Sequence, residues 1–507
     1  MDYGLKIVSS KRFKPASFNS ICYLWGDKKA IPRSKILTPQ SFPMLRLLLT
    51  GGFSSVFVAW FLLLALRIPL MLHGLPLTQP ELNWMLVGER IHRGFMLYTQ
   101  TWDSLSPLSA GFYALADVVF GRSQVALQVM GLLAVMFQSA YFSYSLQRHN
   151  LYNDRTHLPA VLYALCASLF YDSYTLSPVL LGLTFLLVAL NGFFAQFSKD
   201  GTDSEPFGIG FYVGVATLFH IPFGWFAGFA FVGLLLLSAV RLRKFLLLVF
   251  GFALPIIIVL LVFYLLNGYE AVYYNWIAVF LERDIQYYVD FQMLALVVLP
   301  MGLLLLLAAT QLLRGNTRSV NFQIRCQQLM FFWLLTATAS LFFAPDMAPY
   351  AFLVFVPPVA FFSTYFFLLV RKPWLGEVAF LTVLGCLAFN NWGRFYLPVA
   401  APLWKDQRLT VAETGNTVSR KRLLIIGPGL DEYRNNTPAT PYLHWRLARR
   451  HFENLDNYVT VIELYGNFQR DMPDVIIDKQ AVVPVLFNRI PALANQYRKE
   501  GNVYRRK

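Results

Sequence analysis

The sequence predicts an α-helical polytopic membrane protein with about 11 transmembrane helices and a small C-terminal extracytoplasmic α/β domain. The chain has 507 residues, of which 56% are hydrophobic and only 14% are charged. Soluble globular proteins carry about 25% charged residues. The apolar residues fall into blocks of roughly 15 to 25, separated by short polar stretches, which is the pattern of lipid-spanning helices. From residue 399 onward the chain is polar, with short β-rich runs.

Three regions follow from this pattern. Residues 1–43 are polar and basic. They are expected to be either a disordered N-terminal cytoplasmic tail or the product of a start codon assigned upstream of Met44. Residues 44–398 form the transmembrane domain, and residues 399–507 form the small extracytoplasmic domain. The predicted spans lie at 45–72, 123–147, 159–171, 175–196, 207–221, 223–240, 244–267, 291–313, 329–344, 349–370 and 376–398.

The Lys and Arg residues of the loops set the orientation, because cytoplasmic loops are enriched in them. If the N-terminus is cytoplasmic and 107–120 is a helix that does not fully cross, the basic loops at 148–155, 199, 241–244, 314–325 and 371–372 all face the cytoplasm. The opposite loops then hold only Arg90, Arg93, Arg122 and Arg283. A full crossing at 107–120 would reverse every later loop and break the rule, so the count of eleven excludes it.

The C-terminal segment predicts strands at 422–426, 458–462 and 474–477, with a helix over 442–453. Gly427-Pro428-Gly429 follows the first strand and is interpreted as a turn in preference to a phosphate-binding loop, because it matches neither GxGxxG nor a P-loop. The four cysteines show no CxxC spacing, so neither a zinc site nor a disulfide framework is predicted. The net charge of +15 follows the membrane loops, and nucleic acid is not an expected partner.

Two acidic residues are the candidate catalytic and metal-binding residues. Glu81 opens a predicted amphipathic helix that would lie in the membrane interface, where it either complements the helix dipole or acts in chemistry. Asp172 follows the third span on the same side, as either an exposed loop residue or a second functional acid. Two such carboxylates could share a divalent cation, Mg²⁺ or Mn²⁺, or divide acid and base roles.

Polar residues of the same outer side are the candidate substrate-binding residues, because charges close to a membrane core are costly and often functional. The aromatic residues of loop 267–290 either form an interfacial belt or stack on sugar rings, and Arg394 either holds a phosphate or anchors the last span. The set comprises Arg90, Arg93, Tyr98, Asp103, Arg283 and Arg394.

The order of motifs resembles the GT-C superfamily of polyprenyl-phosphate-sugar-dependent glycosyltransferases, such as protein mannosyltransferases and lipid A aminoarabinose transferases. The motifs are Glu81, the run from Gly94 to Tyr98, Pro107-Leu108, Phe120-Gly121 and Asp172. The family usually has a second acid directly before the first acidic position, and this chain has Pro80 there. The chain therefore resembles a divergent member.

The resemblance implies transfer of a sugar from a polyprenyl-phosphate donor to a glycan, lipid or protein acceptor at the outer face of the membrane. It implies that Glu81 is the general base or a cation ligand, that Asp172 assists it, and that arginines such as Arg394 stabilise the phosphate. The expected location is the bacterial plasma (inner) membrane. The alternatives are a non-catalytic membrane scaffold, which Pro80 favours, and a lipid or solute transporter, for which the sequence shows no inverted repeat.

The topology can be tested by cysteine-accessibility labelling in a background that lacks the native cysteines. A cysteine placed in the C-terminal domain should react with a membrane-impermeant reagent in intact cells, whereas one placed in the 241–244 loop should react only after permeabilisation. Labelling of the C-terminal domain from the cytoplasmic side alone would contradict the assignment.

Overall fold

The computed structural model of the protein describes residues 54–198, 204–236, 242–282, 285–313, 320–397, 399, 401–404, 406, 408–412 and 419–507. The predicted tail at 1–43 and the candidate Arg283 lie outside these residues. The remaining chain forms a bundle of apolar helices and a C-terminal domain with a small sheet.

The membrane domain is built from thirteen main helices within the described ranges. They are α1 (Ser54–His73), α2 (Gln79–His92), α3 (Pro107–Phe120), α4 (Gln124–Arg148), α5 (Leu158–Cys166), α6 (Pro178–Phe197), α7 (Glu205–Phe219), α8 (Phe226–Leu235), α9 (Leu242–Leu265), α10 (Phe291–Leu313), α11 (Asn321–Phe342), α12 (Val356–Leu369) and α13 (Pro373–Tyr396).

The prediction of a polytopic membrane fold is confirmed. Among the described residues, 7 helices are long and apolar enough to cross a bilayer, and shorter apolar helices lie at Pro107–Phe120, Glu205–Phe219 and Ile221–Leu235. Within the described residues, each of the predicted spans overlaps a helix, including α5 and α11. Helix α3 has 14 residues, a length of about 21 Å against a hydrocarbon core of about 30 Å. Its length agrees with the prediction that it does not fully cross.

Helix α5 is the shortest of the predicted spans, with 9 residues that are all buried. It packs between α1, α4 and α12. The chain continues without regular α-helix through a 3-10 turn at Tyr171–Tyr174, and this segment is buried as well. Irregular backbone at membrane depth is tolerated only where protein surrounds it. The burial of this segment therefore places Asp172 inside the molecule.

The C-terminal domain has a five-stranded sheet with the order β4-β3-β5-β7-β6. Strand β3 (Arg422–Ile426) is parallel to β4 (Thr437–Pro438) and to β5 (Val475–Asp478), whereas β6 (Tyr497–Glu500) and β7 (Val503–Arg506) form an antiparallel hairpin. Helices α14 (Trp445–Phe452) and α15 (Tyr458–Arg470) connect β4 to β5, and α16 (Val483–Arg489) follows β5. In the membrane domain, β1 (Gln286–Tyr287) pairs with β2 (Asp346–Met347).

The predicted strand at 458–462 is wrong, because these residues open helix α15. The side chain of Asn457 caps the helix by accepting a hydrogen bond from the Val459 backbone N–H, at 2.9 Å. Thr460, Leu464 and Phe468 are buried at intervals of four residues, which is the period of a helix face. The predicted strands at 422–426 and 474–477 and the helix at 442–453 agree with β3, β5 and α14.

Helix α2 differs from the expected interfacial helix. Most of its residues are buried, including Glu81 and Arg90, because the C-terminal domain covers the side that would otherwise face the interface. Arg90 Nη1 lies 2.9 Å from Asp471 Oδ2 of that domain and donates to the Pro438 carbonyl at 2.9 Å. The backbone N–H of Trp102 also donates to the Pro441 carbonyl at 2.8 Å. Helix α2 therefore lies between the membrane helices and the C-terminal domain.

The Arg90–Asp471 pair should hold the two domains together. Replacing Arg90 with Ala leaves a buried carboxylate with one cation fewer, so we expect a loss of about 3 kcal/mol in the free energy of unfolding. Arg93→Ala is the matched control, since Arg93 is half-exposed and pairs with Glu89 on the same helix, and it should cost less than about 1 kcal/mol. Thermal unfolding and limited proteolysis of the purified chain measure both. Equal stability of the two variants would contradict this role for Arg90.

Candidate functional site

The two acids singled out in the sequence lie in adjoining buried positions. Glu81 is 2% exposed and accepts hydrogen bonds from the Thr175 hydroxyl at 2.8 Å and from Gln124 Nε2 at 3.1 Å. Asp172 is also 2% exposed, so it is not an exposed loop residue. Its Oδ2 accepts from the Tyr350 backbone N–H at 2.9 Å. Thr175 is three residues from Asp172, so the same turn carries one acid and binds the other.

Burial dominates the electrostatics of both carboxyl groups. It raises the pKa of Glu81 to about 7, although the hydrogen bonds from Thr175 and Gln124 oppose this shift. It also raises the pKa of Asp172 to about 7, and the negative charge of Glu81 adds to the increase. The two carboxylates are therefore close enough to influence each other, and near neutral pH each is poised between its charged and neutral forms.

The oxygens of Glu81 and Asp172 are the candidate ligands for a divalent cation. Within the described ranges, no group of three or more His, Cys, Asp or Glu side chains is placed to share a metal ion. Both oxygens of Glu81 already accept hydrogen bonds. Asp172 Oδ1 is buried and has no hydrogen-bond partner in the described part of the chain, and such an oxygen fits either a cation or its own proton. Mg²⁺ keeps several water ligands, so two carboxylates suffice for a site of that kind.

Arg394 is part of a contact with the linker to the C-terminal domain. It forms an ion pair with Asp406 and donates to the Tyr171 hydroxyl at 3.0 Å. That hydroxyl in turn donates to Asp406 Oδ2 at 2.7 Å. Tyr171 directly precedes Asp172 in the chain. Arg394 therefore lies near the two acids, and its guanidinium is engaged by the protein.

A small cavity lies at the boundary between the two domains and holds a different pair of acids, Asp103 and Asp346. Its volume is about 40 Å³. Its polar lining includes Asn83 of α2, Tyr288, Tyr350 and His444 of the C-terminal domain. Glu81 and Asp172 do not line this cavity. Trp84 and Tyr350 do line it, and these two residues connect the cavity to Glu81 and Asp172. The rings of Trp84 and Tyr350 meet edge to face at 5.2 Å, and Tyr350 also binds Asp172.

The local structure of the 98–105 loop positions Asp103. Its Oδ1 accepts from the Leu105 N–H at 2.8 Å and its Oδ2 accepts from Asn83 Nδ2 at 2.8 Å. The Tyr98 hydroxyl donates to the Leu105 carbonyl at 2.7 Å, which fixes the same turn. Tyr98 itself has a φ of 67°, an uncommon conformation for a tyrosine that its buried contacts maintain.

Burial is also the main influence on this second acid pair. It raises the pKa of Asp103 to about 6, and the charge of Asp346 raises it further while Arg446 lowers it. The pKa of Asp346 is raised by burial, against the opposing effects of Arg446 and of the Tyr350 hydroxyl, which donates to Asp346 Oδ2 at 3.3 Å. Asp103 and Asp346 are thus two interacting acids beside a cavity, the arrangement in which an acid and a base can have different roles.

A larger cleft of about 620 Å³ adjoins this cavity and shares Asn83, Tyr288 and His444 with it. The loop after β3 lines the cleft together with the segment around β1 and the start of α14. The charged residues of its lining are Arg408, Arg446, Arg449 and Asp431.

The structure brings some of the predicted site residues together and not others. Glu81, Asp172 and Arg394 lie near one another, and Asp103 lines the small cavity. Arg90 is bound by Asp471 and by backbone carbonyls, and Arg93 pairs with Glu89 at 2.6 Å.

Sequence analysis missed Asp346 and the arginines of the cleft. Asp346 lies a few residues after the end of the apolar helix α11. An acid close to the end of a span was the signal that could have identified it. Its approach to Asp103 depends on the pairing of β1 with β2, which joins two loops that are distant in the sequence. Two strands of two residues each carry no detectable sequence pattern.

Comparison with known proteins gives similar structures, while no curated protein matches. The chain is similar to ArnT from Cupriavidus metallidurans bound to undecaprenyl phosphate, with a TM-score of 0.49 and 14% identity over 72% of this chain and 65% of that one. It is also similar to the oligosaccharyltransferase AglB from Archaeoglobus fulgidus in complex with an inhibitory peptide and a dolichol-phosphate, with a TM-score of 0.46 and 11% identity over 90% of this chain and 74% of that one. The chain thus spans less than two thirds of this ArnT. Both proteins are members of the GT-C superfamily, which the sequence motifs resemble.

The family assignment comes from the sequence. The model of a family of unknown function, DUF6427, matches residues 104–396. The match runs from the loop that holds the small cavity through the last membrane helix, which is more than half of the chain. This protein therefore belongs to the DUF6427 family.

Proposed function

We propose that this chain is a glycosyltransferase that moves a sugar from a polyprenyl-phosphate donor to an acceptor at the outer face of the membrane. The observation that carries the proposal is the buried cavity in which Asp103 and Asp346 lie together between the membrane helices and the C-terminal domain. The motif resemblance to GT-C enzymes supports it. The acceptor is a glycan, lipid or protein hydroxyl, and the proposed location is the bacterial plasma membrane.

The chemistry needs a base with a pKa close to the working pH. The base takes the proton of the acceptor hydroxyl while the acceptor oxygen bonds to the anomeric carbon of the sugar. The bond between that carbon and the phosphate oxygen breaks, and the polyprenyl phosphate leaves with the electron pair. Asp103 suits the role of base because burial raises its pKa to about 6 and it lines the cavity. Asp346 tunes that pKa through its charge.

The sequence resemblance assigns the base to Glu81, with Asp172 as its partner and a Mg²⁺ or Mn²⁺ ion between them. We favour Asp103, because it lines the cavity and Glu81 does not. The proposed role of Glu81 and Asp172 is to position the wall of the cavity through Tyr350, and to hold the cation if one binds. The cation would offset the charge of the departing phosphate.

Five substitutions separate these assignments in an assay that measures polyprenyl phosphate released from a panel of undecaprenyl-phosphate monosaccharides. Glu81→Gln should reduce release less than Asp103→Asn does, because the proposed role of Glu81 is to position the wall of the cavity. Asp103→Asn should reduce release at least about 100-fold, since it removes a general base. Asp346→Asn and Asp172→Asn should reduce it less. Asp290→Asn is the control, since Asp290 is an exposed acid in a nearby loop, and it should leave release unchanged. A chelator added to the same assay tests the cation.

Two outcomes would change this proposal. Full loss in Glu81→Gln with activity retained in Asp103→Asn would return the role of base to Glu81. Absence of release from every donor by the wild-type chain, folded and in membranes, would contradict the enzyme and favour the membrane scaffold.

The pH dependence of transfer should report the same base. A base must be deprotonated to act, so the rate should fall about tenfold per pH unit below about 6 and be level above it. In Asp346→Asn the acidic limb should move to lower pH, because the like charge that raises the pKa of Asp103 is gone. A pH–rate profile of each variant measures this. An unmoved limb in Asp346→Asn would exclude Asp103 as the titrating group.

A further inference from the structure

The 620 Å³ cleft lies at a distinctive point in the topology of the C-terminal domain. Strand β3 is parallel to its two neighbours, and the chain goes from β3 to β4 on one side and later to β5 on the other. In open α/β sheets, ligands bind in the crevice outside the carboxyl ends of the strands where the strand order reverses in this way. The loop that leaves the carboxyl end of β3 lines the cleft.

That loop is Gly427-Pro428-Gly429, and its conformation requires glycine. Gly427 has a φ of 143° and Gly429 a φ of 89°. A Cβ at Gly427 would lie 2.6 Å from the Cβ of Lys479, which is closer than packed atoms approach. At Gly427 and Gly429 the loop therefore presents backbone to the edge of the cleft. The sequence pattern favoured a plain turn, and the structure adds a cleft at that turn.

The charges around the cleft are mostly positive. Arg408, Arg446 and Arg449 line it, and Asp431 is the only acidic residue among the described residues of its lining. Asp431 is already engaged, since its Oδ1 accepts from Gln79 Nε2 and from the Ala412 N–H, both at 2.7 Å. Guanidinium groups match the planar geometry of carboxylates and phosphates.

Aromatic side chains accompany these arginines. Trp445 and Tyr287 also line the cleft, and Tyr287 is 57% exposed, so its ring is available to a ligand. Flat aromatic surfaces beside polar groups are a common lining of small-molecule sites. The volume of the cleft lies within the usual range for such sites, about 300 to 1,000 Å³.

We infer that this cleft binds an anionic saccharide, with the phosphate or carboxylate held by the arginines and the glycine loop and the sugar against Trp445 and Tyr287. The ligand is either the headgroup of a phosphorylated lipid or a soluble sugar phosphate. The inference concerns binding alone and stands whether or not the chain transfers a sugar.

Direct binding of radiolabelled inorganic pyrophosphate to the full chain in phosphatidylcholine nanodiscs tests the site at fixed ionic strength. The wild-type chain should bind it saturably, and the double variant Arg408→Gln/Arg446→Gln should bind it at least tenfold more weakly. Arg489→Gln is the matched control, because Arg489 lies on the same domain, pairs with Asp456 and does not line the cleft. Its affinity should equal that of the wild type.

Two competitors distinguish a lipid headgroup from a soluble sugar phosphate as the ligand. Displacement of pyrophosphate by undecaprenyl phosphate placed in the nanodisc indicates a lipid headgroup, and displacement by glucose 1-phosphate indicates a soluble sugar phosphate. Absence of saturable binding to the wild type, or equal affinity in the double variant, would overturn the inference. Because no turnover is measured, a chain that binds pyrophosphate but transfers nothing would support this site and contradict only the proposed enzyme.

Discussion

Helix α2 is buried between the membrane helices and the C-terminal domain, and its polar residues contact both. A helix that carries Glu81, Asn83 and Arg90 can be enclosed only if each of these polar groups finds a partner. Thr175 of the membrane domain satisfies Glu81, and Asp471 of the C-terminal domain satisfies Arg90. These two partners come from opposite sides of helix α2. The hydrogen bonds and ion pairs of this one helix therefore fix the position of both domains.

The acidic cavity is a consequence of that arrangement. Asn83 binds Asp103, the β1–β2 pair brings Asp346 close, and His444 closes the cavity from the C-terminal domain. The raised pKa values of these acids follow mainly from their burial at this boundary. Burial alone produces such groups. Pro80, at the position where GT-C enzymes usually have a first acid, therefore leaves two acids with raised pKa values at this boundary.

Features that depend on local pattern were predictable, and features that depend on tertiary contacts were not. The apolar blocks located the membrane helices, and β-rich runs located β3 and β5. The run from Tyr458 to Ile462 is equally rich in β-branched residues, but the cap at Asn457 and the burial of Leu464 and Phe468 make it a helix. For the site, Glu81, Asp172 and Asp103 were identified as polar residues near a membrane core. Asp346 was missed because its importance arises from pairing between distant loops.

The size of the acidic cavity has a consequence for motion. A volume of about 40 Å³ has room for only a few water molecules, and a sugar ring is much larger. Asp103 and Asp346 belong to the membrane domain, and His444 belongs to the C-terminal domain. A sugar would therefore reach the two acids when the domains move apart at this cavity. For the transfer proposed above, the structure is therefore a closed state, and the reaction would need an open one. The Arg90–Asp471 pair, which joins the same two bodies, would then contribute to how fast they part.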